Sequence, residues 1–304
     1  MRNLGRVQTA EPLAVHRPKL RWWKEFVLVV VFYAVYSFAR NQFGSAKVEG
    51  ENAPVHAFHN ALDVIRVEKW LGLYFEPQLQ AAFIGWEWFI RFWNVYYGTF
   101  HFVVTIAAFI WLFVRAPVRF TRWRNVLACT TALAIVGYSL FPLMPPRLLD
   151  EGPPYGGREW VVQDEQGMVV QVGPDIEGVD RPPFGYVDTL AVFGGLWSFD
   201  SGAMEEISNQ YAAMPSMHTG WAVWCAIVMW PLVRRRWAKV LVVAYPLATV
   251  FCIIVTANHF WIDGAGGLVC LAVGFVLGTA IDRWNNSRLT RRAAAVPAPA
   301  QPAA

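Results

Sequence analysis

The sequence predicts an all-α, polytopic membrane protein: a bundle of six transmembrane helices with a long external loop between the third and the fourth. Three observations predict it. The 304 residues are 56% hydrophobic, with 16 tryptophans and only 16% charged residues, which is too apolar for a water-soluble domain. Uncharged stretches recur along the chain at lengths suited to a bilayer. The basic residues are confined to alternate connections between these stretches, the arrangement expected when those connections stay in the cytoplasm.

Taken in order, residues 1–24 form a polar, basic segment (Arg2, Arg6, Arg17, Lys19, Arg21, Lys24) expected to be cytoplasmic. Residues 26–39 follow without a charge behind Trp22 and Trp23, and no small-residue cleavage site closes the run, so it reads as an uncleaved first span. Between Asn41 and Arg91, apolar Ala57, Leu62, Ile65, Trp70 and Leu71 alternate with Asp63, Arg66, Glu68 and Lys69, the pattern of an amphipathic helix lying on the membrane surface. Residues 77–86 are apolar but too short to span, and suit a re-entrant or interfacial piece.

Residues 92–114, 125–146, 207–233, 240–262 and 264–281 supply the other five spans. Arg115, Arg119, Arg122 and Arg124 separate spans two and three; Arg234, Arg235, Arg236 and Lys239 separate four and five; Arg283, Arg288, Arg291 and Arg292 follow six. With the N-terminal segment these place 18 of the 26 basic residues on one side, with only Glu11, Glu25 and Asp282 of the acids. That distribution assigns both termini to the cytoplasm of a multi-pass plasma-membrane protein. It accounts for the net charge of +4 without a nucleic-acid partner.

The external loop, residues 148–209, is rich in Gly, Pro and acids, and residues 160–172 read as a small hairpin around a Gly-containing turn. The membrane catalytic domain is expected over 25–283, and 284–304, ending in Ala and Pro, as a disordered cytoplasmic tail. Cys129, Cys225, Cys252 and Cys270 lie in apolar segments without CxxC spacing, so neither a disulfide framework nor a zinc site is indicated.

The chemistry concentrates near Thr256-Ala257-Asn258-His259-Phe260-Trp261-Ile262-Asp263. His259 and Asp263 are four apart, one helical turn, so the carboxylate can hold one imidazole nitrogen and leave the other free, which makes an oriented base or nucleophile. Ionisable groups between two apolar spans are costly and point to function. Topology brings other motifs to the same level. Met214-Pro215-Ser216-Met217-His218 opens span four, so both histidine-bearing helices aim their N-termini at one external pocket, where free N–H groups and the positive dipole end favour an anion. Pro145-Pro146-Arg147, just outside span three, provides an arginine suited to phosphate oxygens.

Pro215-Ser216-Met217-His218 and His259-Phe260-Trp261-Ile262-Asp263 resemble the second and third signatures of the type 2 phosphatidic acid phosphatase superfamily. Pro145-Pro146-Arg147, Tyr211-Ala212-Ala213-Met214-Pro215-Ser216-Met217-His218 and Thr256-Ala257-Asn258-His259 are closer to its branch of inositol phosphorylceramide synthases, an inositolphosphotransferase-like group. The resemblance implies a six-helix enzyme that hydrolyses or transfers phosphate groups of lipids without a metal or other cofactor. It implies His259 as nucleophile, Asp263 as its orienting partner, His218 as the acid that protonates the leaving oxygen, and Arg147 as a holder of phosphate; Ser216 and Asn258, at the two helix starts, are read as further substrate-binding residues. Two positions depart from the superfamily pattern: Leu140 stands where a lysine precedes the first-motif arginine, and Ile253 where an arginine precedes the nucleophile. Asn94, Tyr96 and His101, at the start of span two, are candidates to supply the missing donors.

Two rival readings exist. Two histidines and an aspartate can form a metal-binding triad, but a pocket made positive by Arg147 and helix N-termini disfavours it. A non-enzymatic transporter or scaffold is disfavoured by the absence of a repeat between chain halves. A lipid phosphate or phospholipid drawn from the bilayer is the substrate class expected.

Overall fold

The computed structural model describes residues 20–43, 52–152, 156–157, 162–163, 169–171, 184–195 and 210–294. The expected N-terminal segment up to residue 19, most of the external loop, the start of span four at 207–209 and the end of the tail at 295–304 lie outside the described residues.

Nine α-helices are described: α1 (Trp22–Phe43), α2 (Asn52–Trp70), α3 (Glu76–Phe83), α4 (Glu87–Arg115), α5 (Pro117–Leu140), α6 (Thr189–Phe193), α7 (Met217–Met229), α8 (Arg236–Val255) and α9 (Trp261–Ala294). Two short antiparallel strands, β1 (Val162–Gln163) and β2 (Val169–Gln171), form the expected hairpin within the 148–209 connection. Among the described residues, α4, α8 and α9 are each long and apolar enough to cross a membrane.

The expectation of six spans is met for those three. The fourth expected span is shorter than its apolar run, because residues 211–216 form an irregular approach to α7, which has 13 residues. The third expected span, α5, begins eight residues early at Pro117, where proline suits the first helical position, and ends at Leu140, leaving 143–148 for the site. At the other end of the chain α9 runs on to Ala294, past residue 284 where the tail was expected. Arg288, Leu289 and Arg291 are good helix formers, and they extend the helix while staying exposed.

Only one residue, Ala116, separates α4 from α5, which makes them antiparallel neighbours. α9 lies against α5 at close range. Gly274 and Gly278, one turn apart, face Thr130 and Val126, and an added Cβ would stand 2.3 Å from Thr130 Oγ1 and 2.5 Å from the Val126 nitrogen. At one end of the bundle Arg122 donates to Thr279, Thr121 to Asp282, and Arg124 to Glu25 of α1. Arg122 and Arg124 of the first basic cluster therefore meet the stretch of α9 just before the last cluster and the start of α1. Trp224 is fully buried there among Phe120, Trp123 and Leu112, its indole N–H donating to the Trp123 carbonyl.

The histidine end has its own core. Ala57, Phe58, Ala61, Leu62, Val64 and Ile65 form one stripe of α2 at helical spacing, buried against Leu143, Met144, Leu149, Tyr211, Ala257 and Phe260. The stripe expected to rest on lipid is thus largely spent on protein, while Trp70 at the end of α2, 83% exposed, and its neighbour Leu71 stay outside it. α3, the expected interfacial piece, packs beside α8.

Candidate active site

Three irregular segments knit the histidine end together. Leu143 N–H donates to the Tyr211 carbonyl, Arg147 N–H to Ala257, and Ser216 N–H to Asp263. α9 approaches α7 closely enough that a Cβ on Gly267 would sit 2.2 Å from the Ser216 carbonyl oxygen, so glycine is required there. Ala257 takes the left-handed conformation, φ 52°, with its carbonyl tied to Arg147 and its amide to Ile254. An ordinary residue held there stores about 1 kcal/mol or more of strain, common where a loop presents a reacting group.

His259 follows two residues later. Its Nδ1 lies 3.3 Å from Asp263 Oδ2, which also accepts the Phe260 N–H at 3.0 Å. Both residues are buried, and His259 Nε2 has no partner among the described residues. The His218 ring sits 5.5 Å away, centroid to centroid, with its own Nε2 buried and unpartnered. Unsatisfied buried nitrogens are rare and costly, and two on neighbouring rings mark a candidate place for a polar ligand. The hydroxyls of Ser216 and Thr219 are in the same condition.

The other predicted residues divide. His101 reaches the site: its ring centroid is 4.2 Å from that of His218, and its Nδ1 is 3.0 Å from the Tyr97 carbonyl. Arg147 is buried close by, but its guanidinium is engaged, donating to Asp188 Oδ2 and to Gln210 Oε1, both at 2.5 Å. Asp188 in turn caps α6, accepting from Leu190 and Ala191. The arginine thus arrives oriented and largely neutralised rather than as a free positive charge.

Asn94 and Tyr96 are placed elsewhere. The Asn94 amide donates to the carbonyls of Thr189 and Gly194 and accepts from the Thr189 hydroxyl, fastening α6 to α4. Tyr96 turns to α8, 3.1 Å from the Thr249 hydroxyl. Asn258 spends its amide on Thr256, 2.8 Å from Oγ1, within the turn before His259. The two departures from the superfamily pattern are placed outside the site as well: Leu140 is 76% exposed, and buried Ile253 lends its carbonyl to the N–H groups of Asn258 and His259.

Sequence reasoning missed Tyr97, whose ring stacks on His218 at 4.3 Å and stands 6.3 Å from His259. Tyr97 and His101 are four apart, on one helical face, whereas Tyr96 is rotated off it; that periodicity was the available signal. It also missed Glu68 and Glu76. Both are fully buried and accept from the first turn of α9: Glu76 Oε1 from Trp261 N–H at 3.2 Å, Glu68 Oε1 from Ile262 N–H at 3.4 Å. The start of α9, expected to offer free N–H groups to an anion, is therefore closed by the protein's own carboxylates. The start of α7 is not: Ser216 makes no side-chain cap, and the N–H groups of Met217, His218 and Thr219 have no partner among the described residues.

A family model described as PAP2 superfamily matches residues 62–277. No curated protein and no solved structure matches the chain. The match covers most of the sequence and every residue of the site, and the chain belongs to the PAP2 superfamily. Membership supports a phosphatase or phosphotransferase type of function in a membrane protein. The transporter or scaffold alternative receives no support.

Proposed function

We propose that this member of the PAP2 superfamily is a metal-independent lipid phosphatase or phosphotransferase that works through a phosphohistidine at His259. One observation carries the reading: among the described residues His259 Nε2 and His218 Nε2 are both buried and unpartnered on rings 5.5 Å apart, while Asp263 occupies the far nitrogen of His259. A carboxylate on Nδ1 fixes the tautomer whose Nε2 carries the lone pair, which is what an attack on phosphorus needs. The same placement disfavours a metal triad, since Asp263 and the free nitrogen lie on opposite sides of the imidazole and their donors do not converge.

In the first step His259 Nε2 bonds to phosphorus as the bond to the leaving oxygen breaks, and His218 delivers the proton that oxygen needs. Water or a second alcohol then attacks the phosphohistidine, losing its proton to His218, and His259 is regenerated. Charge on the phosphoryl oxygens is met by the open N–H groups of α7, the Ser216 and Thr219 hydroxyls and Arg147. These donors are prepaid in orientation, so a cation is not required.

The substrate is a lipid phosphate or phosphodiester. Helices α1, α5 and α7 complete a six-helix arrangement with α4, α8 and α9, and the segregation of basic residues along the sequence supports an external, plasma-membrane site with both termini in the cytoplasm. Pro145-Pro146-Arg147 and the residues from Tyr211 to His218 favour the inositol phosphorylceramide synthase-like branch, in which an alcohol takes the phosphoryl or phosphodiester group. The test is incubation of the purified protein with labelled lipid phosphates and phosphodiesters, with and without inositol-type acceptors, in a chelator. Turnover unaffected by chelation is expected; turnover restored only by one divalent metal overturns the mechanism.

A further inference from the structure

Behind the His259–Asp263 pair, two acidic side chains from separate helices meet in the protein interior. Glu68 of α2 and Glu76 of α3 are each fully buried, and neither forms an ion pair with a Lys or Arg among the described residues. Both oxygens of Glu76 are occupied as acceptors, one by Phe75 N–H at 2.9 Å and the other by Trp261 N–H. Glu68 Oε1 accepts from Ile262, Glu68 Oε2 has no donor among the described residues, and the neighbouring carboxyl is that of Glu76, itself an acceptor. Two carboxylates in contact and out of water do not both stay charged; a shared proton turns the repulsion into a short, strong hydrogen bond. The hydrogen-bond pattern says which one holds it. Glu76 has both oxygens filled with donors, so the proton belongs on Glu68 Oε2.

We propose that Glu68 and Glu76 form a carboxylic acid–carboxylate latch sharing one proton, which grips the first two N–H groups of α9 and so positions His259 and Asp263; ionisation of Glu68 releases the grip and sets the alkaline limit of activity. The two are positioning residues, since neither touches the reacting atoms. The connection to the site is short: Trp261 and Ile262, held by the latch, lie between His259 and Asp263 on the same turn. The groups facing Glu68 are Glu76 from α3, Asp263 from α9, Tyr74 from the α2–α3 turn and Tyr186 from the outer connection. Burial first, and then Glu76, push the Glu68 carboxyl up to about 9. Tyr74, pushed up to about 12 by burial, and Tyr186, raised further, keep their protons through the window in which Glu68 loses its own.

The sign follows from linkage. Between the usual carboxyl range and about 9, the folded chain retains a proton that the unfolded chain has released, so stability declines as pH rises across that window. Glu68→Gln keeps a neutral donor at the same place, and it removes both that decline and the alkaline limit.

The latch concerns the activity proposed above, so its test has one readout that does not depend on turnover. Infrared difference spectra of the full-length protein in lipid nanodiscs, titrated from about pH 7 to about pH 10.5, should show one protonated carboxyl carbonyl stretch disappearing near the top of the range and missing from Glu68→Gln. In parallel, Glu68→Ala should lower kcat roughly tenfold with KM little changed, while Glu68→Gln recovers most of that loss and stays active where the wild type falls about tenfold per pH unit. Absence of the protonated carboxyl from the wild type at neutral pH, or its persistence in Glu68→Gln, overturns the latch even if no substrate is turned over. An alkaline limit unchanged in Glu68→Gln overturns its link to activity. A phosphoester turnover absent from the wild type, with the carboxyl band present and lost in Glu68→Gln, leaves the latch standing and defeats the proposed function instead.

Discussion

Helices α7 and α9 start side by side, each with a histidine in or just before its first turn, yet the two starts are finished in opposite ways. At α9 the N–H groups of Phe260, Trp261 and Ile262 go to Asp263, Glu76 and Glu68. At α7 the cap serine makes no cap bond, and the first N–H groups have no partner among the described residues. An uncapped buried helix start costs stability, and proteins rarely leave one without a reason. The contrast separates two jobs that a sequence reading gives to both helices. The closed start, ringed by carboxyl groups, offsets the positive helix end and favours an electron-rich imidazole at His259. In the proposed mechanism the open start beside His218 receives the anion.

The largest expected effect comes from the closed end. His259→Ala should abolish turnover of every substrate whatever its leaving group, because no bond to phosphorus forms without it; residual activity on an activated aryl ester above background would break the assignment of attack to α9. Asp263→Asn should come next, a loss on the order of 10² to 10⁴ in kcat, since the imidazole remains but its tautomer is no longer fixed. Because Asp263 also caps Phe260, thermal unfolding measured on the same variant should show a destabilisation of about 1 to 2 kcal/mol.

At the open end the expectation reverses, with activity changing and stability not. Ser216→Ala at an ordinary helix cap costs about 1 kcal/mol, but here the hydroxyl makes no cap bond, so the melting temperature should hardly move. Turnover should fall roughly tenfold through loss of one donor to the anion. A stability loss with unchanged kinetics would show that the hydroxyl is only a cap after all. The smallest kinetic effect is expected away from both helix starts. Asn94→Ala frees α6 from α4 and should cost about 1 to 3 kcal/mol of stability while leaving the pH dependence and chelator response of turnover in place.

How far these features were legible in the sequence depended on their range. The His259–Asp263 contact is one helical turn, and spacing alone specifies it. The membrane character and the shared level of His218, His259 and Arg147 came from charge segregation and the order of apolar runs, and the two histidine rings do stand 5.5 Å apart. What the sequence did not disclose were contacts between distant segments. Glu68 reads as one more polar residue on an amphipathic helix, and its burial against α9 requires α2 to fold over the site, which its stripe of small and aliphatic residues permits without dictating. Arg147 reads as a free cation because Asp188 lies 41 positions away. Tyr97 was legible but overlooked, since helical spacing from His101 selects it over Tyr96.

The measurement that tests the central claim most directly is capture of the covalent intermediate. Purified protein is mixed with a labelled aryl phosphate or phosphodiester, quenched, and assayed for acid-labile, base-stable label on the chain, in the wild type and in the His218→Ala and His259→Ala variants. An aryl leaving group needs no proton, so His218→Ala should still acquire label while losing most of its activity on an alkyl substrate, a gap of about 10² to 10⁴. His259→Ala should acquire none. Label that persists in His259→Ala, or that vanishes in His218→Ala while His259→Ala keeps it, contradicts the division of labour read from the two helix starts.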